Sequence, residues 1–321
     1  MTPMQRALVT FATGAALALT AAAPLAQQRF QSGVELIVVP VSVTSGGRAV
    51  TDLTTKDFAL TDNGVAQTID AVSLDTMPID VSLVLDASFS VRGAMLERLK
   101  RAVSDTSAML TSRDRLRLIS VQHVIREVFP WQAGGTTPPV DNLMAGGSTS
   151  LFDAVAAALM RSSAPDRRHL IVIFTDGMDT SSVVSPAATQ QIASASDAVV
   201  HAVVVIEDLE ALRSRQPSSA GTVNSRGGSV RSGLTAADEQ QLPVLRPIRD
   251  AAVTPTGGQV FPMDAQSKIS DAFGAAIRAF RQSYVLRYSP QAVPPDGWHS
   301  IAVSVTRSGR YEIRARKGYG S

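Results

Sequence analysis

No cysteine occurs in the 321 residues. Disulfides, Cys-based zinc sites, iron–sulfur clusters and thiol catalysis are therefore excluded. Lipid attachment through a cysteine at a mature N-terminus is excluded as well. Lysine is nearly absent: Lys56, Lys100, Lys268 and Lys317 are the only ones, and arginine supplies the rest of the basic charge. Thirty Lys+Arg stand against 28 Asp+Glu, a formal charge of +2. The pI of 9.1 is thus a thin surplus and not the basic footprint of a nucleic-acid binder. The four histidines, His123, His169, His201 and His299, are scattered and form no metalloprotease helix motif. There is no Gly-x-Ser-x-Gly elbow, no Ser-x-x-Lys and no phosphate-binding Gly-x-x-x-x-Gly-Lys.

Long apolar runs are also missing, except at the start. Met1–Arg6 carries one positive charge, Ala7–Ala22 is apolar and alanine-rich, and small residues lead to Ala26-Gln27-Gln28. This is the pattern of a secretory signal peptide over residues 1–26, and the stretch is shorter than the ~20 residues a membrane span needs. The expected product is exported, to the periplasm or beyond, without a membrane span once the leader is removed.

What is present is a globular composition, 45% hydrophobic and 18% charged. Residues 30–77 are β-like: Val34–Val43 is rich in β-branched residues, and Asp62-Asn63-Gly64 marks a hairpin. Pro40 inside the first run predicts an edge or a bulge. Residues 78–282 alternate apolar strand runs (Val81–Leu85, Leu170–Phe174, Val199–Ile206) with helical periodicity at Ala94–Leu110, Leu151–Met160, Leu242–Val253 and Ile269–Phe280. Leu116–Val121 and Val124–Phe129 read as a tight strand pair, and Gly258–Phe261 as a further strand. Residues 283–321 return to β at Tyr284–Tyr288, Ile301–Thr306 and Tyr311–Arg316. The expectation is an α/β fold: a doubly wound, mostly parallel sheet with one short antiparallel edge strand. Each β flank is too short for its own core, so the two are expected to pair into one small β-sandwich. Glu207–Gln240, rich in Ser, Gly, Arg and Ala, reads as a long loop.

Chemistry collects at the predicted strand ends. Asp86-Ala87-Ser88-Phe89-Ser90 follows one apolar run, Asp176-Gly177 follows another, and Gly146-Gly147-Ser148-Thr149-Ser150 leads into a helix. In open α/β sheets ligands bind outside the carboxyl ends of strands, where all three clusters converge. Two carboxylates and three hydroxyls, with no His or Cys, are hard oxygen donors suited to Mg²⁺ or Mn²⁺ rather than zinc or copper. Taken singly, the same fragments also read as helix caps and turns.

Asp86-x-Ser88-x-Ser90, Thr149 and Asp176 resemble the metal-ion-dependent adhesion site of the von Willebrand factor A domain. The resemblance implies Ser88, Ser90 and Thr149 as inner ligands, with Asp86 and Asp176 acting directly or through water. The flanks, from Leu53-Thr54-x-x-Asp57-Phe58 to Arg314-Ala315-Arg316-Lys317-Gly318-Tyr319, look like a bacterial secreted branch of that family. Phe89 departs from the usual small residue between the serines; a bulky ring there either touches a ligand or crowds the ion. The function implied is a non-enzymatic, Mg²⁺-dependent protein-binding module whose partner contributes an exposed Asp or Glu. Phe89, Arg213 and Arg215 are candidate partner contacts, with Arg226 and Arg231 on the same long loop. A metal-assisted hydrolase and a scaffold with a metal-stiffened loop face are the alternatives.

Overall fold

β-Branched runs with no polar face can only be strands covered on both sides, and the central sheet is built from them. Every residue of β6 (Ile79–Asp86) is buried. It pairs with β7 (Arg115–Val121) and β9 (Arg168–Thr175); β10 (Val199–Val205) and β11 (Val260–Met263) follow beyond β9, all parallel, with β8 (Arg126–Ala133) antiparallel at the other edge. The order is β11-β10-β9-β6-β7-β8. This computed structural model describes residues 36–74, 77–161, 164, 166–176, 178–206 and 245–320. The expected leader at residues 1–26 and the long segment Glu207–Gln240, with its Arg213, Arg215, Arg226 and Arg231, lie outside the described residues.

Helices α1 (Ala94–Met109) and α4 (Ile269–Arg281) cover one face of the sheet, where Leu99, Val103, Phe273 and Ile277 meet Val81, Leu83 and Leu85. Helices α2 (Leu151–Leu159) and α3 (Pro186–Ala195) cover the other, together with a helical turn Arg246–Ile248 that runs into a π-helical turn Arg249–Val253. α3 is absent from the sequence expectation. It is alanine-rich and presents only a short apolar stripe; Pro186 at its first position and the Ser185 cap, whose Oγ accepts from Ala188 N at 3.1 Å, define its start.

The two β flanks form the sandwich. One sheet has the order β14-β1-β12-β5, with β1 (Ile37–Ser45), β5 (Ala71–Leu74), β12 (Tyr284–Tyr288) and β14 (Glu312–Ala315), and β2 (Arg48–Ala49) pairs with β1. The other is β15-β13-β3-β4, from β3 (Phe58–Asp62), β4 (Val65–Gln67), β13 (Trp298–Val305) and β15 (Gly318–Gly320). Alternate residues Val39, Val41 and Val43 face inward against Phe58, Leu60, Tyr284 and Tyr288. Pro40 sits at a local edge, as its place in the first run predicts, although β1 as a whole is an interior strand. It pairs with Val285 of β12, and β14 joins β1 only from Val41 onward, so the missing N–H meets no ladder. The short β15, Gly-Tyr-Gly, carries too little pattern to be read from sequence.

Candidate functional site

β6 lies where the sheet order reverses. The chain passes from β6 to β7 on one side, and β9 returns on the other. The strand ends at such a switch point leave a crevice. Asp86 ends β6, Asp176 follows β9, and the loop before α2 brings Thr149 beside them.

The five oxygen-bearing side chains predicted from sequence form one connected cluster. Asp86 Oδ1 accepts from Ser88 N at 3.0 Å and from Thr149 Oγ1 at 3.4 Å. Ser88 Oγ and Ser90 Oγ are 3.1 Å apart, and Ser90 Oγ donates to Asp176 Oδ2 at 3.3 Å. Asp86, Ser88 and Thr149 are buried at the base; Ser90 and Asp176 reach the surface. The capping alternative fails here. The N-cap of α1 is Gly93 and that of α2 is Ser150, and neither end has a side-chain cap hydrogen bond. Ser88, which precedes a short 3₁₀ turn, makes none either.

The surrounding backbone holds these groups at the crevice. Gly146 N donates to Ala87 O at 2.7 Å and Phe89 N to Gly147 O at 3.3 Å, tying the first loop to the glycine turn. Gly147 has φ +80°, and a Cβ there would lie 2.5 Å from His123 Nδ1, so only glycine fits. A further layer went unread as functional in the sequence. Thr180 N donates to Thr149 O at 2.9 Å, and Thr180 Oγ1 accepts from Thr149 N at 2.9 Å. Asp179 Oδ1 accepts from Leu151 N at 2.7 Å, and Thr175 Oγ1 donates to Asp86 Oδ2 at 3.3 Å. The signal was the dense run of Asp, Thr and Ser after β9.

Two carboxylates converge here, and among the described residues neither has an ion-pair partner. Burial pushes the Asp86 carboxyl above its ordinary value, and the charge of Asp176 adds to the rise. The donor set also passes a geometric test. Ligands about 2.1 Å from an octahedral ion stand about 3.0 Å from one another. The hydroxyl and carboxylate spacings of 3.1 and 3.3 Å are close to that edge.

Phe89 does not crowd the cluster. Its ring is 58% exposed and lies under the Arg92 guanidinium, whose carbon stands 3.9 Å from the ring centroid. Val124, Met144, Met178 and Val183 are exposed apolar side chains on the other loops of this face. The candidate contacts Arg213 and Arg215 lie outside the described residues.

Doubly wound topology with this oxygen cluster at the switch point defines a class of dinucleotide-fold-like domain specialised at its strand ends. Residues 80–224 match the von Willebrand factor type A domain. Among solved structures the chain is similar to a von Willebrand factor type A protein from Catenulispora acidiphila, at 12% identity and TM-score 0.44, over 88% of this chain and 73% of that one. An aerotolerance-related membrane protein from Bacteroides fragilis is similar at 16% identity and TM-score 0.38, over 64% of this chain and 99% of that one. Proximal thread matrix protein 1 of the mussel byssus, with a zinc-occupied MIDAS motif, is similar at 13% identity and TM-score 0.43, over 68% of this chain and 49% of that one. No curated protein matches the chain.

Proposed function

We propose that the chain is an exported protein-binding module dependent on Mg²⁺ or Mn²⁺. Ser88, Ser90 and Thr149 hold the ion directly, Asp86 and Asp176 balance its charge directly or through water, and a partner's exposed Asp or Glu takes the remaining position. The observation that carries this reading is the pair of carboxylates with no ion-pair partner among the described residues, clustered with three hydroxyls, two of them (Ser88 and Ser90) 3.1 Å apart, close to an octahedral edge. The exposed apolar side chains on the same loops offer a rim against which a protein surface can pack.

A binding role is favoured over hydrolysis because three of the four histidines are engaged elsewhere. His169 bonds Ser82, His201 accepts from Gln259 N, and His299 pairs with Asp62. Export rests on the leader pattern of residues 1–26; among the described residues no helix is long and apolar enough to cross a membrane.

The test is thermal melting of the mature chain with Mg²⁺, Mn²⁺ or Zn²⁺, followed by capture from the exported proteome with chelator elution. An ion that binds only the folded state raises the melting temperature by mass action. Asp86→Ala should abolish both the Mg²⁺ shift and the capture. An equal metal response in wild type and variant would refute the site.

A further inference from the structure

At the opposite end of the sheet from Asp86, a cleft of about 860 Å³ separates the starts of β9 and β10 from the outward face of β1 and β12. Its volume suits a small organic ligand. Leu36, Val38 and Met160 line it and remain 50, 42 and 73% exposed. The charge is one-sided: among the described residues, five arginines line the cleft against a single carboxylate, Asp197. Arg167 is held by Asp80 and Arg316 by Asp197, whereas Arg287 donates only to Ser73 Oγ, at 3.2 Å, and has no carboxylate partner among the described residues.

His169 supplies a second, independent feature. It is 3% exposed and lies on the cleft wall. Behind it, Arg117 Nε donates to Ser82 Oγ at 2.6 Å, and Ser82 Oγ stands 2.7 Å from His169 Nε2. Arginine has no acceptor, so the Ser82 hydroxyl proton has one place to go, Nε2. The neutral imidazole then carries its proton on Nδ1. That N–H has no partner among the described residues and is not sealed from solvent, and His169 lines the cleft, so it opens there. A buried arginine thus polarises a donor at the wall of an apolar, arginine-rich cleft.

We propose that this cleft binds a fatty-acid-class amphiphile, its carboxylate accepting from His169 Nδ1–H amid the arginines and its chain lying along Leu36, Val38 and Met160. A peptide strand fits less well. It brings a backbone donor and acceptor at every residue, and Pro40 on the open side of β1 has no N–H with which to extend a ladder. An acyl chain needs only the apolar wall.

The test titrates the full chain with a dansylated undecanoic acid and displaces the probe with lauric acid or its methyl ester. Fluorescence should rise saturably, and the ester should displace the probe at least about tenfold less well than the acid, because it lacks the charge. Arg287→Glu, a surface change, should weaken probe binding about tenfold while leaving the melting temperature and its Mg²⁺ shift as in wild type. Ser82→Ala should weaken it too, by releasing the His169 tautomer. The proposal is overturned by the absence of saturable binding or by equal displacement with acid and ester. Unchanged affinity in Arg287→Glu would also overturn it, as would displacement by an apolar peptide carboxylate but not by lauric acid. None of these outcomes touches the metal site, which the Mg²⁺ shift reads separately.

Discussion

A buried imidazole is a liability in acid, and His169 and His201, like His299, are almost completely buried. Desolvation lowers the pKa of His169 to about 4, with the neighbouring Arg117 charge adding to the fall, and that of His201 to about 3. His201 lies between the Phe261 and Phe280 rings and accepts from Gln259 N at 3.0 Å. Because both folded values lie below the ordinary 6.5, the unfolded chain takes up the protons first. Stability from these groups is full above pH 6.5 and falls as the pH drops toward 4, at about 1.4 kcal/mol per unit for each histidine. Urea melts between pH 7 and pH 4 should show this slope. His169→Gln keeps an acceptor for Ser82 and should remove about half of it; an unchanged slope would place the acid sensitivity elsewhere. Asp86 shows the opposite logic at the other end of the sheet. Its carboxyl is held above the normal range by burial, which makes the crevice receptive to a cation.

At the scale of elements, the sandwich is held by a polar knot as well as by its apolar layer. Asp62 at the end of β3 is fully buried. Tyr288 of β12 donates to its Oδ2 at 2.8 Å and Tyr319 of β15 at 3.0 Å, while His299 Nδ1 meets Oδ1 at 2.9 Å. The His299 ring also stacks on Tyr319, centroids 4.5 Å apart. Three strands from the C-terminal flank thus converge on one carboxylate from the N-terminal flank. Tyr288→Phe removes one of these bonds without a cavity and should cost about 1–3 kcal/mol, because the remaining acceptor stays buried. Chemical denaturation measures it. A loss below about 0.5 kcal/mol would mean that water replaces the hydroxyl. Tyr284 works similarly four residues earlier on the same strand: its hydroxyl donates to Val50 O at 2.8 Å and accepts from Leu53 N at 2.9 Å. The Tyr-x-Leu-x-Tyr pattern is therefore an inward-facing ladder with a polar tip on each tyrosine.

Across the whole molecule, the strand that closes the sandwich also ties it to the α/β sheet. Arg316 is buried: it pairs with Asp197 at 3.0 Å, and its Nε and Nη2 donate to Gly318 O and Ser194 O at 2.8 and 3.2 Å. Beside it, Lys317 N donates to Pro255 O at 3.1 Å, and Thr256 bridges to Arg316. Asp197 is itself exposed, so the ion pair contributes little; the two carbonyls that Arg316 satisfies matter more. Arg316→Ala should cost about 1–3 kcal/mol and lower the melting temperature by several degrees. It should also split one calorimetric transition into two as the sandwich and sheet uncouple. A single unshifted transition would mean that the remaining contacts suffice.

Much of this architecture was legible because it is local. Val81–Leu85 and Leu170–Phe174 have no polar face, so burial on both sides followed from their side chains alone. Asp86, Ser88, Ser90, Thr149 and Asp176 could be singled out because strand ends and a glycine turn carry them, and topology brings such ends together. Other features were decided only by distant contacts. Pro40 is read locally as a sheet edge, and which side of β1 is open there was decided by distant strands: β12 pairs with it, whereas β14 stops one residue short. Phe89, crowding or contacting on paper, turns outward under Arg92. Thr180 and Asp179 looked like loop residues until they met Thr149 and Leu151, about 30 positions earlier in the chain. The Arg117–Ser82–His169 chain spans three strands, and no spacing in the sequence announces it. Periodicity and turn chemistry depend on neighbours in sequence. Which polar group finds which partner, and which is left open to a ligand, depends on how β strands far apart in the chain are laid side by side.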